Sequence, residues 1–186
     1  SLITLSSFAQ ENTKPQGLFI GDKAPLFKGK DNNGKEYNLA DQLKKGKVVL
    51  IFYRGEWCPY CNKELGMIND SLLLITAKGA TVVAISPETA ENVGKTVSKS
   101  KANFPVISDN ELSIMKAYKV NFSLDEVTVE KYKKYGIDFT VSNGSNGANL
   151  PVPATYIIDI DGTIRYVFFK PDYRKRASVK DILDNL

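Results

Sequence analysis

Apolar residues fall along this chain in short blocks separated by polar, Gly- or Pro-marked stretches. The densest block is Val48 to Tyr53, an unbroken run of aliphatic and aromatic residues bounded by Gly46 and Gly55. Such a run reads as a strand buried on both faces. Thr81 to Ser86 repeats the pattern, and Phe104 to Ser108 is a shorter extended piece. Ala154 to Asp159 and Thr163 to Phe169 read as two strands joined tightly at Asp161-Gly162. Between the strands the spacing turns helical. It predicts helices over Pro59 to Lys78 closed by Gly79, Pro87 to Lys101 weakened by Gly94, and Leu112 to Tyr118. Two more are predicted over Glu126 to Tyr135, ending at Gly136, and over Ser178 to Leu186 with Ser178 as N-cap.

Residues 10 to 24 form a polar lead-in, and Phe27 to Leu39 around Asn33-Gly34 reads as a hairpin covering one end of the sheet. Residues 120 to 150 read as an insertion, with Asn143 to Gly147 a mobile loop by composition. Strands alternating with helices predict an α/β fold: a central mixed sheet with a parallel core, an antiparallel final pair and helices on both faces.

At 186 residues the chain suits one domain, here residues 21 to 186 behind a tail of 1 to 20. The net charge of +4 comes from scattered lysines, which gives no support for nucleic-acid binding. Nothing approaches the roughly 18 consecutive apolar residues of a membrane span. Leu2, Ile3 and Leu5 look like the end of a signal core, with Ser7 and Ala9 as the small residues of a cleavage site before Gln10. The chain lacks an initiator Met, and its natural start is expected upstream. An exported or periplasmic protein is expected, with a frayed tail and a cytoplasmic protein as the alternative.

The chemistry centres on Trp57-Cys58-Pro59-Tyr60-Cys61, between the first buried strand and its helix. Pro59 suits the first helical position, which places Cys58 just before the first turn. Free backbone N–H groups and the positive end of the helix dipole favour a thiolate there. Cys58 is expected to be open to solvent, and Cys61, one turn further in, more buried. Two cysteines three apart can close a disulfide and reopen it by exchange. The alternatives are a buried apolar pair or part of a zinc site. With no His and no third Cys, zinc would need carboxylates or a second copy of the chain. No bound cofactor is called for.

The stretch FYRGEWCPYCNKEL, with FPVISD, LPVPATYIIDIDGTIRY and KPDYRKR, resembles the thioredoxin superfamily. More closely it is similar to the alkyl hydroperoxide reductase/thiol-specific antioxidant, or peroxiredoxin-like, branch, from about Gly21 onward. The resemblance implies a thioredoxin-like fold; the insertion is expected near the active-site end. The resemblance also implies a cis Val152-Pro153 bond facing Cys58 and Cys61, so that the Val152 backbone can dock a disulfide partner; a trans Pro at a strand start is the alternative. Trp57 is expected to flank the pair as an apolar shield. Glu64 matches a carboxylate near the dithiol of membrane-tethered bacterial relatives, where it could pass protons; a solvated Glu64 is the alternative.

The departures from the pattern matter too. Peroxiredoxins place their peroxidatic Cys at the position of Cys61, a Thr at that of Cys58, and an Arg near Pro153. A chain lacking that Thr and Arg should be a poorer peroxidase, unless Arg54, Arg165 or Arg176 substitutes. Cys-Pro-Tyr-Cys with Tyr60 also occurs in glutaredoxins, a match too short to import glutathione as substrate. Three readings follow: a dithiol/disulfide oxidoreductase attacking through Cys58 and resolved by Cys61; a thiol peroxidase working through a cysteine sulfenic acid; and a non-catalytic metal-binding or interaction module. Both enzymes need an external dithiol reductant, thioredoxin- or glutathione-like, and a disulfide or hydroperoxide substrate.

Overall fold

Val48 to Tyr53 becomes the middle of a five-stranded sheet in the computed structural model, which describes residues 14 to 186. The signal-like stretch of residues 2 to 9 lies outside the described residues. In chain order the elements begin with the hairpin β1 (Lys28–Lys30) and β2 (Glu36–Asn38), followed by α1 (Leu39–Leu43) and β3 (Lys47–Phe52). Next come α2 (Pro59–Asp70), α3 (Leu72–Ala77), β4 (Ala80–Ser86), α4 (Ala90–Ser100), β5 (Val106–Ser108) and α5 (Ser113–Ala117). The insertion supplies β6 (Asn121–Ser123), α6 (Glu126–Lys134), α7 (Phe139–Ser142) and β7 (Asn149–Pro151). The chain closes with β8 (Ala154–Ile158), β9 (Ile164–Phe169) and α8 (Val179–Asp184).

The sheet runs β5-β4-β3-β8-β9. β3, β4 and β5 are parallel, while β8 pairs antiparallel with both β3 and β9. Alternate residues of β3 feed two cores. Val48, Leu50 and Phe52 face a cluster with Leu39, Leu43, Met115 and Tyr118, whereas Val49, Ile51 and Tyr53 face Leu65, Ile68, Ile75 and Val93. Burying each such aliphatic side chain is worth roughly 1.5–3 kcal/mol, so the strand between two helical layers is the most strongly held element.

The hairpin lies beside β5, where Asp31 bridges Ile107, and Ser178 caps α8 through a reciprocal capping box with Asp181. The long helix after β3 divides at Ser71, because Asn69, Asp70 and Ser71 are weak helix formers that favour an end over an interior turn. Gly79, with φ +76°, stops the second half. The helix after β4 begins at Ala90, three residues later than Pro87, with Thr89 as N-cap. Asn143 to Gly147 is a built turn instead of a mobile loop. Gly144–Asn146 form a 3-10 turn, and buried Asn146 donates to the carbonyls of Pro87 and Asp109 at 2.8 and 2.9 Å. No helix among the described residues is long and apolar enough to cross a membrane.

Candidate active site

The turn from β3 to α2 carries Arg54, Gly55, Glu56 and Trp57, and Cys58 is the N-cap of the 12-residue helix α2, with Pro59 opening its first turn. The Cys58 carbonyl accepts the N–H groups of Cys61 and Asn62, both at 3.1 Å. The two thiols are free and 2.7 Å apart, Cys61 donating towards Cys58. That S–H bond, with help from the Cys61 backbone N–H and the charges of Arg54 and Arg176, brings the Cys58 thiol down to about 7 against its burial. Burial pushes the Cys61 thiol well above its ordinary value, and the neighbouring Cys58 pushes the same way.

Both cysteines are buried, which corrects the expectation that Cys58 would be open to solvent: it is 1% exposed. The cover is aromatic and cationic. Tyr60, in the first turn of α2, packs edge-on against Tyr173 at 5.9 Å, and Tyr173 lies over the Arg54 guanidinium at 4.3 Å. Arg176 Nη2 lies 3.3 Å from the Cys61 sulfur, and its Nε is 2.7 Å from Glu64 Oε2. Tyr173 and Arg176 belong to the coil between β9 and α8, which therefore straps the dithiol.

Glu64 is buried against Arg176, so the solvated alternative does not hold. Burial pushes its carboxyl up to about 8, while the Arg176 guanidinium pulls it the other way. Trp57 packs onto the core layer that holds both cysteines. A Cβ at Gly55 would run into its indole, so that position must stay bare. On the other side Trp57 meets Tyr132 and Phe139 edge-on, at 5.5 and 5.6 Å. The insertion thus reaches the dithiol end, as expected.

The Val152-Pro153 expectation fails in its main part. No cis peptide bond occurs among the described residues. The Val152 N–H donates to Val120 O at 2.8 Å, extending the β6–β7 pairing, and so is already committed within the chain. Val152 and Pro153 line a groove shared with Arg54, Tyr132 and Tyr173. Among the arginines, Arg54 and Arg176 reach the site, whereas Arg165 pairs with Asp159 and Asp161.

Glu88 escaped the sequence reading. It is fully buried, and its carboxylate accepts from Tyr53 Oη at 2.9 Å, Thr96 Oγ1 at 3.0 Å, Ser86 Oγ at 3.1 Å and the Glu56 N–H at 2.6 Å. Burial raises its carboxyl above the usual carboxylate range. It ties the turn around Arg54 to the end of β4. A carboxylate directly after a buried strand, in Ser86-Pro87-Glu88, was the available signal. Among the described residues no cluster of His, Cys, Asp and Glu could hold a metal.

Comparison with known proteins agrees with this geometry. The chain is 24% identical over 161 residues to the thiol-disulfide oxidoreductase ResA of Geobacillus thermodenitrificans, covering 86% of this chain and 75% of that one. It is 27% identical over 169 residues to the putative peroxiredoxin bcp of Helicobacter pylori, covering 91% and 98%. The crystal structure of peroxidoxin BcpB from Mycobacterium tuberculosis superposes with a TM-score of 0.65 at 23% identity, over 81% of this chain and 84% of that one, a likeness of fold. The five-stranded mixed sheet between two helical layers is the thioredoxin-like architecture of such proteins. Residues 20 to 167 match the model of the AhpC/TSA family, to which this chain belongs.

Proposed function

We propose that this chain is a dithiol/disulfide oxidoreductase in which Cys58 attacks and Cys61 resolves. The observation that carries the reading is the asymmetry of the pair: a low thiol at the helix start beside a high, fully buried one 2.7 Å away. In the forward direction the Cys58 thiolate attacks a substrate sulfur, and the far half leaves with the electron pair. Cys61 must then lose its proton to attack Cys58. Glu64, on the same helix and joined to it through Arg176, is the nearby group suited to take that proton in its ionised form, which becomes more abundant as pH rises towards its value of about 8. An external dithiol restores the reduced pair. With Cys58 covered, the Tyr173–Arg176 strap has to move aside for any disulfide to reach it.

A second reading, a thiol peroxidase, has its own support. Arg176 Nη2 and the Arg54 backbone N–H converge on the Cys61 sulfur at 3.3 and 3.5 Å, donors of the kind that hold a thiolate and a peroxide oxygen. There Cys61 is oxidised to a sulfenic acid, which condenses with Cys58 and releases water. An exported location rests on the signal-like residues 2 to 9 and is tested by cell fractionation.

Mass spectrometry of the single mutants separates the enzymes. Cys61→Ser should accumulate mixed disulfides at Cys58 with a model disulfide, and Cys58→Ser should stay inert. Rapid sulfenic-acid trapping at Cys61 after a peroxide pulse, with little mixed disulfide at Cys58, would favour the peroxidase instead.

A further inference from the structure

Arg54 is 4% exposed, and among the described residues it makes no ion pair. Its Nη2 donates to Tyr132 Oη, and among the described residues its Nε has no hydrogen-bond partner. The guanidinium is enclosed by aromatic faces: Tyr173 at 4.3 Å, Trp57 at 4.9 Å and Tyr132 at 5.6 Å. The Trp57 indole N–H, which faces Gly55, is a second buried donor without a partner among the described residues. Aromatic faces compensate a buried cation in part. A cation taken out of water without an anion, and with a donor left empty, is nonetheless costly. Arg176, a few ångströms from the same sulfurs, shows the usual solution in its pair with Glu64.

Arg54 forms one wall of a groove of about 990 Å³, at the upper end of the size of small-molecule sites. Lys14 and Lys116 line the same groove, and no Asp or Glu among the described residues lines it. Tyr173 links the groove to the dithiol, touching both Arg54 and Tyr60 in the first turn of α2. We propose that this groove binds a small anionic disulfide, with Arg54 taking a carboxylate beside the S–S bond.

The proposal rests on the oxidoreductase reading and names its substrate class. A buried guanidinium selects an anion that can insert, which a low-molecular-weight peptide disulfide can do and a flat protein surface cannot. The carboxylate competes with Tyr173 for Arg54, so binding and uncovering of Cys58 become one event. The Cys58 thiolate then attacks the near sulfur, and the second half leaves as a thiolate. Cys61, after losing its proton, displaces the bound half from Cys58. The protein ends with a Cys58–Cys61 disulfide and the substrate as two thiols, two electrons having passed to it.

The test compares reduced protein with three small disulfides: glutathione disulfide, neutral hydroxyethyl disulfide and cationic cystamine. The readout is the ratio of second-order rate constants, each substrate first normalised to its rate with free dithiothreitol. This ratio is insensitive to changes in Cys58 nucleophilicity. The anionic substrate should lead the neutral one by roughly tenfold or more, with the cationic one slowest. Arg54→Gln should bring the anionic-to-neutral ratio close to one. Lys116→Glu, a change at an exposed residue with little risk to folding, should lower the ratio in the same direction. A ratio near one in the unmodified protein, or one unmoved by either variant, overturns the proposal and leaves the oxidoreductase reading standing. No reaction with any of the three overturns both.

Discussion

At the scale of single residues, the reactivity of Cys58 depends first on one S–H donor. The Cys61 thiol is the largest influence holding the Cys58 thiol at about 7, ahead of the charges of Arg54 and Arg176. Cys61→Ala removes that donor, so the midpoint of the Cys58 alkylation rate against pH should move up by about one unit or more. Cys61→Ser keeps an O–H in place and should hold the midpoint much nearer to 7. Equal midpoints in the two variants would mean that the helix start and the arginines suffice.

At the scale of elements, the coil between β9 and α8 is held over α2 chiefly by Arg176. Its side chain bonds Glu64, approaches Cys61 and donates to the carbonyls of Tyr173 and Lys175. Arg176→Ala should cost about 3 kcal/mol in urea unfolding at about pH 9, above the Glu64 value of about 8, as for a buried pair that loses one partner. It should also speed Cys58 alkylation at saturating thiolate, because Tyr173 loses its anchor. Unchanged alkylation with lowered stability would separate the strap from access to Cys58.

The elements themselves were largely legible. Strand runs, the Asp161-Gly162 turn and the Ser178 cap are local signals, and they fall within a residue or two of the observed β3, β4, β8, β9 and α8. The break at Ser71 was harder to see, because Leu72, Leu73 and Leu74 continue an apolar run although Leu73 and Leu74 are exposed. In the site, Cys58, Pro59 and Cys61 declare themselves by spacing. The Arg176–Glu64 and Glu56–Glu88 contacts join residues 112 and 32 positions apart, which no local pattern encodes. The covering of Cys58 has the same origin. The trans Val152-Pro153 bond marks the limit of resemblance, since the paired Val152 N–H belongs to this chain's own insertion.

At the scale of the whole molecule, three buried carboxyls set the dependence of stability on pH. Burial raises Glu64 to about 8 and lifts Glu88 and Asp109 above their ordinary range. Each binds its proton more tightly folded than unfolded. Their contribution is therefore complete below the unfolded carboxylate range and is lost as pH rises through the folded values. Exposed Asp41, Asp125 and Asp161 are lowered by their hydrogen-bond partners, Lys44, Thr128 and Thr163, and act oppositely, losing their contribution as pH falls below about 4. Thermal stability of the reduced protein should therefore peak near about pH 4 to 5 and fall by roughly 5 °C or more towards pH 8. Glu64→Gln should flatten that fall. A melting temperature that climbs steadily to pH 8 would show the carboxyls to be ionised throughout.

Trp57 is the chain's single tryptophan. It sits between the dithiol layer and the Tyr132–Phe139 cluster, with Arg54 over its ring. Light absorbed at the red edge of the protein spectrum is therefore emitted from one place, against the layer that holds both sulfurs. Thiolate, thiol and disulfide quench an indole to different extents, and so does the loss of an overlying cation. The protein carries a native optical gauge of its own redox state, readable at every turnover without a label.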